Sequence, residues 1–260
     1  MIHFGLMLFT FCKQMNRKKL LVLLLSNIGL GYFFDYIVVG IFKAYKYKPN
    51  IFPNKSRYLN HITGSVLSQS VYIPITAFFI TAFRFGWKMK IFFALYFSAI
   101  ERLFLRWRIY RNNWWKTHYT FSLVLFFFWL SDQWFALIKR KNPFILFFTF
   151  FNTIQVTWKT VWFPLTLLHK VRFGRGKYYT WKEHFLIVPI YFYIVSFLIA
   201  WLLRKGGRMT DGFVICLLMA GQAAARKAGI LKIKSRAAIP ATYFLFIYLF
   251  KRYKSWVYDE

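Results

Sequence analysis

The sequence predicts an all-α fold: a polytopic transmembrane bundle of about eight helices. Three observations lead there. Hydrophobic residues make up 58% of the 260 positions. They gather into runs with few charges, about as long as a bilayer crossing of roughly 20 residues. The 37 Lys and Arg, against 7 Asp and Glu, lie mostly between those runs. A soluble chain this apolar would expose large adhesive patches. A nucleic-acid binder could carry a net charge of +30, but repeated apolar runs of bilayer length would not serve it, so no nucleic-acid partner is expected. Lysines and arginines beside a membrane instead gain on the order of 1 kcal/mol each near anionic headgroups.

In order, the runs span residues 20–42, 62–83, 91–105, 117–138, 143–168, 185–203, 210–225 and 237–250. Each must be helical, because lipid gives backbone groups no hydrogen-bond partner and a lone strand would leave its edges bare. The third and eighth runs are short. A count of seven results if one of them crosses only part of the membrane. Trp87, Trp107, Trp114, Trp115, Trp134, Trp181, Trp201 and Trp256 lie near run ends, as an interfacial aromatic belt requires. Pro74 and Pro189 fall inside runs, where a kink is tolerated if neighbours satisfy the freed carbonyl.

The connections are short, which predicts one transmembrane domain over residues 1–260 and no soluble domain. Residues 1–12 are apolar but too short to span, and Met15-Asn16-Arg17-Lys18-Lys19 forms a second start-like segment. Translation from Met1 and from Met15 both fit. The first long run lacks a small-residue cleavage site and reads as a retained helix rather than a cleaved signal. Connections after odd-numbered runs hold 19 Lys and Arg, and the remaining connections and tails hold 16. The positive-inside rule then places both termini outside. Cys12 and Cys216 imply neither a disulfide framework nor a zinc site.

A weak internal similarity suggests tandem four-helix halves, residues 15–142 and 143–260. Ile73-Pro74, Phe92 and Ala99-Ile100-Glu101 in the first half have counterparts in Val188-Pro189, Phe213 and Ala220-Gly221-Gln222 in the second. Parallel repeats of this kind occur in some transporters.

The first half also carries Phe34-Asp35-Tyr36-Ile37-Val38-Val39, a Phe52-Pro53 loop, Tyr72-Ile73-Pro74, Ile100-Glu101 and Trp114. Across residues 31–134 these motifs resemble an uncharacterised family of small multi-pass membrane proteins of spore-forming, low-GC bacteria. The resemblance implies a bacterial cytoplasmic membrane and carries over no activity. The second half departs from that family's four-helix pattern.

Ionisable groups inside a bilayer cost roughly 2.5–3.5 kcal/mol on insertion scales, which makes them candidates for function. With runs alternating in direction, Asp35, Gln69, Glu101 and His118 fall in one half of the membrane, flanked by Arg102, Arg106 and Arg111. They form either a site for a cation, proton or polar headgroup, or a hydrogen-bonded cluster that holds helices together. A basic turn at residues 170–177 offers Arg172, Arg175 and Lys177 to phospholipid headgroups, or simply obeys the positive-inside rule. It is not a phosphate-binding loop, since Tyr178 stands where Ser or Thr is needed. Small residues Ala220, Gly221, Ala224, Ala225, Ala228 and Gly229 in run seven permit close helix packing, within the chain or in a homo-oligomer.

Nucleophile-elbow, zinc-protease and dinucleotide-binding motifs are missing. The expectation is a non-enzymatic membrane protein without a cofactor or metal, binding lipid or a membrane partner in a structural or regulatory role. A transporter or channel using the acidic cluster is the alternative, and a lipid-active enzyme the third reading.

Overall fold

The computed structural model describes residues 2–49, 51, 56–175, 179–207, 209–234 and 238–259, with the backbone alone at 238–241. The fold is an all-α helical bundle, and each of the eight runs forms a helix. Four helical stretches are long and apolar enough to cross a membrane: Arg17–Ile41, Arg57–Ala82, Thr117–Lys139 and Trp181–Lys205. On these grounds the chain is a membrane protein. It divides into two compact units, Met1–Asn142 and Pro143–Glu260.

The first unit begins with a short helix α1 (Ile2–Lys13), then α2 (Arg17–Asp35), which continues as a π-helical turn, Tyr36–Ile41. Strand β1 (Tyr45–Tyr47) precedes a rod made of α3 (Arg57–Leu67), a π-helical segment Ser68–Tyr72 and α4 (Ile73–Ala82). The π segment widens the helix just before Pro74, a residue with no N–H to give the ladder. Helix α5 (Trp87–Arg106), strand β2 (Tyr110–Asn112) and α6 (Thr117–Lys139) complete the unit. Leu20, Leu23, Leu24, Ile75, Phe78 and Phe135 form one buried core, against which Leu6, Met7 and Phe11 of α1 also pack. Two glycines allow the backbones to approach. A Cβ on Gly31 would lie 2.8 Å from the Gln69 carbonyl oxygen, and one on Gly64 would lie 2.7 Å from Tyr47 Cβ.

The second unit comprises α7 (Pro143–Leu167), β3 (Val171–Phe173), α8 (Trp181–Lys205), α9 (Thr210–Lys227), β4 (Leu231–Ile233) and α10 (Ala238–Tyr258). Trp158 and Trp162 of α7 are 0% and 2% exposed and form its centre, with Phe192 and Phe246 around them. Of the run-seven small residues, Gly221 faces Tyr191, while Ala220 and Ala224 are exposed.

Apart from α1, both units follow one order: helix, strand, helical stretch, helix, strand, helix. In each, the two strands pair antiparallel, Tyr45 with Asn112 and Val171 with Ile233 at matching ends. The strands are closed by a histidine on the following helix. The Tyr47 N–H donates to His61 Nδ1 at 3.1 Å, and the Phe173 N–H donates to His184 Nδ1 at 3.0 Å. Both imidazoles therefore carry no proton on Nδ1. Helix ends adopt the left-handed conformation at Lys43, Arg84, Arg108, Lys141 and His169, and at Gly206 and Gly229. Cations there also suit the negative helix C-terminus. At the start of α8, Thr180 and Glu183 cap each other, the Thr180 N–H donating to Glu183 Oε2 at 2.8 Å.

Replacing His61 or His184 by Ala leaves a covered backbone N–H without its acceptor, a loss of about 1–3 kcal/mol. A lower melting temperature of each purified variant in detergent is the expected result, and unchanged melting would remove the histidines from the framework.

Candidate functional site

The strand-bearing end of the first unit gathers most of the polar side chains singled out in the sequence. Asp35 closes α2, where its Oδ1 accepts from Ser65 Oγ at 2.6 Å. Glu101 lies near the end of α5, 8% exposed, and accepts from Thr117 Oγ1 at 3.1 Å and from Thr120 Oγ1. Thr120 in turn receives the Trp115 indole N–H at 2.7 Å. Gln69, buried on the π segment, is within hydrogen-bonding reach of the Tyr45 phenol.

Between the two carboxylates stands a group of tyrosines from the strands. Tyr45, Tyr47 and Tyr110 have ring centroids 5.0–5.7 Å apart, and Trp115 lies 5.3 Å from Tyr45. Burial raises the pKa of all three phenols, and the charges of Asp35 and Glu101 push in the same direction. They remain protonated at physiological pH and act as donors.

Asp35, Gln69 and Glu101 thus belong to one neighbourhood joined through Tyr45. His118 does not enter it: the side chain is exposed and its ring lies 4.2 Å from that of Tyr119. Arg102, Arg106 and Arg111 are exposed as well. Among the described residues neither carboxylate forms a salt bridge, and no group of three His, Cys, Asp or Glu gathers to hold a metal ion. Chemically, the arrangement holds each carboxylate with hydroxyl donors from a neighbouring helix. The strand tyrosines come from the short pairing that sequence periodicity did not reveal.

The opposite end of this unit has a second network. Lys90 of α5 pairs with Asp132 of α6, and Thr81 donates to Asp132 Oδ1 at 2.6 Å. Thr81 also meets Ser131 at 3.0 Å, and Asn27 Nδ2 donates to Ser131 Oγ at 2.9 Å. The antiparallel α5–α6 register that joins Glu101 to Thr120 also brings Lys90 to Asp132.

In the second unit, Arg172 on β3 stacks its guanidinium 3.4 Å from the Trp181 ring centroid. It also donates to the Tyr179 carbonyl at 3.4 Å and meets His169 Nδ1 at 2.9 Å. Arg175 is exposed, and Lys177 lies outside the described residues. Lys159, mid-helix, donates to Gln155 Oε1 at 2.6 Å and sits 3.9 Å from the Tyr193 ring centroid.

Compared with known proteins, the chain matches no family model, and no curated protein or solved structure shows significant similarity to it.

The Lys90–Asp132 pair gives a direct test of how covered charge behaves in this bundle. Removing one partner strands the other, so Lys90→Met should destabilise more than the double change Lys90→Met with Asp132→Leu. Thermal melting of both variants checks the order; a double variant worse than the single one would contradict it.

Proposed function

We propose that this chain is a multi-pass protein of a bacterial cytoplasmic membrane, crossing it eight times. In this reading it binds lipid through its basic strand-bearing ends and serves a structural or regulatory role without catalysis. The observation that carries it is the way the polar side chains are used. Asp35 and Glu101 are held by hydroxyls of neighbouring helices, and His61 and His184 are occupied as acceptors for backbone N–H groups. Groups engaged in this way hold helices together and are poorly placed to exchange protons with a substrate. The cations, by contrast, lie largely outward. Among the described residues, the strand-bearing end of the second unit has eight Lys and Arg, at 170, 172, 175, 182, 226, 227, 232 and 234, with Glu183 as its one acid. Such clusters attract anionic headgroups at about 1 kcal/mol per charge near the surface. The shared order of elements, strand register and histidine acceptors supports an origin of the two units as tandem halves.

A transporter is the second reading, favoured by one observation: π-helical segments begin directly after Asp35 and contain Gln69. Such segments recur at functional sites.

Native mass spectrometry of the gently solubilised protein tests the first reading. The wild type should retain phosphatidylglycerol in preference to phosphatidylcholine, and a variant with Arg172→Gln and Lys232→Gln should lose that preference. Equal retention of both lipids by the wild type would count against lipid selection. Proteoliposome flux abolished by Asp35→Asn and Glu101→Gln, with protein abundance unchanged, would favour transport instead.

A further inference from the structure

Among the described residues, the second unit has a set of buried donors with no acceptor. The indole nitrogens of Trp158 and Trp162, the hydroxyls of Tyr191 and Tyr243 and the amide nitrogen of Gln222 are all covered, and none has a hydrogen-bond partner among the described residues. The side chains come from all four long helices of the unit, and those of α7 and α8 pack on one another. Trp158 and Trp162 have ring centroids 5.8 Å apart, and Trp158 and Tyr191 6.2 Å. The Tyr191 hydroxyl lies 3.3 Å from where a Cβ on Gly221 would stand, beside Gln222. Tyr243, 3% exposed, stands one turn of α10 from Phe246, whose ring centroid lies 5.7 Å from that of Trp158. An indole N–H can only donate. Leaving a buried donor unmade costs about 1–3 kcal/mol, so several side by side call for an acceptor from outside the chain.

The first unit shows what that acceptor resembles. Glu101 lies nine residues before the first residue of β2, and Gln222 lies nine before the first residue of β4. The first unit fills this place with a carboxylate that collects Thr117 and Thr120. The second unit has an amide at this place, one residue from the Gly221 that faces the Tyr191 hydroxyl. The missing element is an oxyanion.

We propose that the strand-bearing end of the second unit binds a phosphate oxyanion on Gln222, Tyr191, Tyr243, Trp158 and Trp162, in the place that the Glu101 carboxylate takes in the first unit. The reading of the chain as a lipid-binding membrane protein underlies this assignment and names phospholipid headgroups as one source of the phosphate; free phosphate is the other. Gln222, Trp162 and Tyr243 each lie five residues from the strand-bearing end of their helix, about 7 Å at 1.5 Å per residue, and Trp158 and Tyr191 lie nine and ten residues in, about 14–15 Å. The shallower three are within reach of the headgroup region, under a cationic surface that raises the local concentration of anions. Because the donors are covered in the unliganded form, binding is coupled to parting of the helix ends.

The test uses the full chain in detergent micelles, titrated separately with phosphatidylglycerol, phosphatidylcholine and inorganic phosphate, with melting temperature and native mass spectrometry as readouts. Two variants are compared with the wild type. Gln222→Glu supplies an internal carboxylate; Tyr191→Phe with Tyr243→Phe removes two hydroxyls at nearly constant shape, so it folds even if the buried acid does not. The wild type should be stabilised by a phosphate-bearing ligand and hold one equivalent of it. The tyrosine variant should melt no lower than the wild type without ligand, since it loses two unpaired buried groups, yet bind at least about tenfold more weakly. Gln222→Glu should bind no phosphate at all. Stabilisation by inorganic phosphate alone identifies free phosphate as the ligand; stabilisation by phosphatidylglycerol or phosphatidylcholine alone identifies a lipid. Unchanged binding in both variants overturns the site, and if phosphatidylglycerol is still selected by all three proteins, the broader lipid-binding reading survives without it. No response of the wild type to any of the three probes overturns the site as well.

Discussion

Everything in this structure depends on the absence of water around the backbone. In hydrocarbon an unpaired N–H or C=O has no solvent to fall back on, so each polar group must find its partner within the chain. Helices meet that demand along their length and fail at their ends, where the last carbonyls and first N–H groups remain open. The protein closes those ends in a repeated way. Left-handed caps satisfy the carbonyls, and short antiparallel strands pair the connecting segments. A histidine then takes the N–H of the last residue in β1 and in β3. The strands thus act as lids on helical bundles rather than as sheets in their own right.

The same constraint explains where side-chain polarity is found. Asp35 and Glu101 sit at helix ends and draw hydroxyls from adjacent helices, while Asp132 draws Thr81 and Lys90 at the other end of its unit. Between these two levels the first unit is filled with aliphatic and aromatic residues such as Ala77, Ile80, Ala94, Phe97 and Phe128. In the second unit Trp158, Trp162, Tyr191, Tyr243 and Gln222 have covered donors without an acceptor among the described residues. Glu101 in the first unit is met by hydroxyls of the next helix, whereas Gln222, at the matching distance from its strand, has a covered amide nitrogen without a partner among the described residues.

Much of the fold was legible because bilayer crossings declare themselves by length and charge. All eight apolar runs are helices, and the intramembrane acids stood out against them. Three-residue strands such as Tyr45–Tyr47 are too short to show a period, and their pairing partners lie tens of residues away. The left-handed caps were hidden because Lys43, Arg84 and Arg108 occupy positions where glycine would have signalled a helix end. The exposure of His118 depends on a single turn of α6: its neighbours Thr117 and Thr120 turn toward Glu101, and His118 turns away. The pairing of Lys90 with Asp132 required the α5–α6 register, which sequence alone does not supply.

The most direct test of the account is the side of the membrane on which each connection lies. Single cysteines introduced into a chain with Cys12 and Cys216 replaced would be labelled by a membrane-impermeant reagent from either side. Within the first unit, positions 46 and 111 should label from one side and position 84 from the other. Within the second, positions 172 and 232 should share a side opposite to position 206. Labelling of the two strand positions of a unit from opposite sides, or of all three positions from one side, would contradict the spanning bundle on which the rest of the account stands.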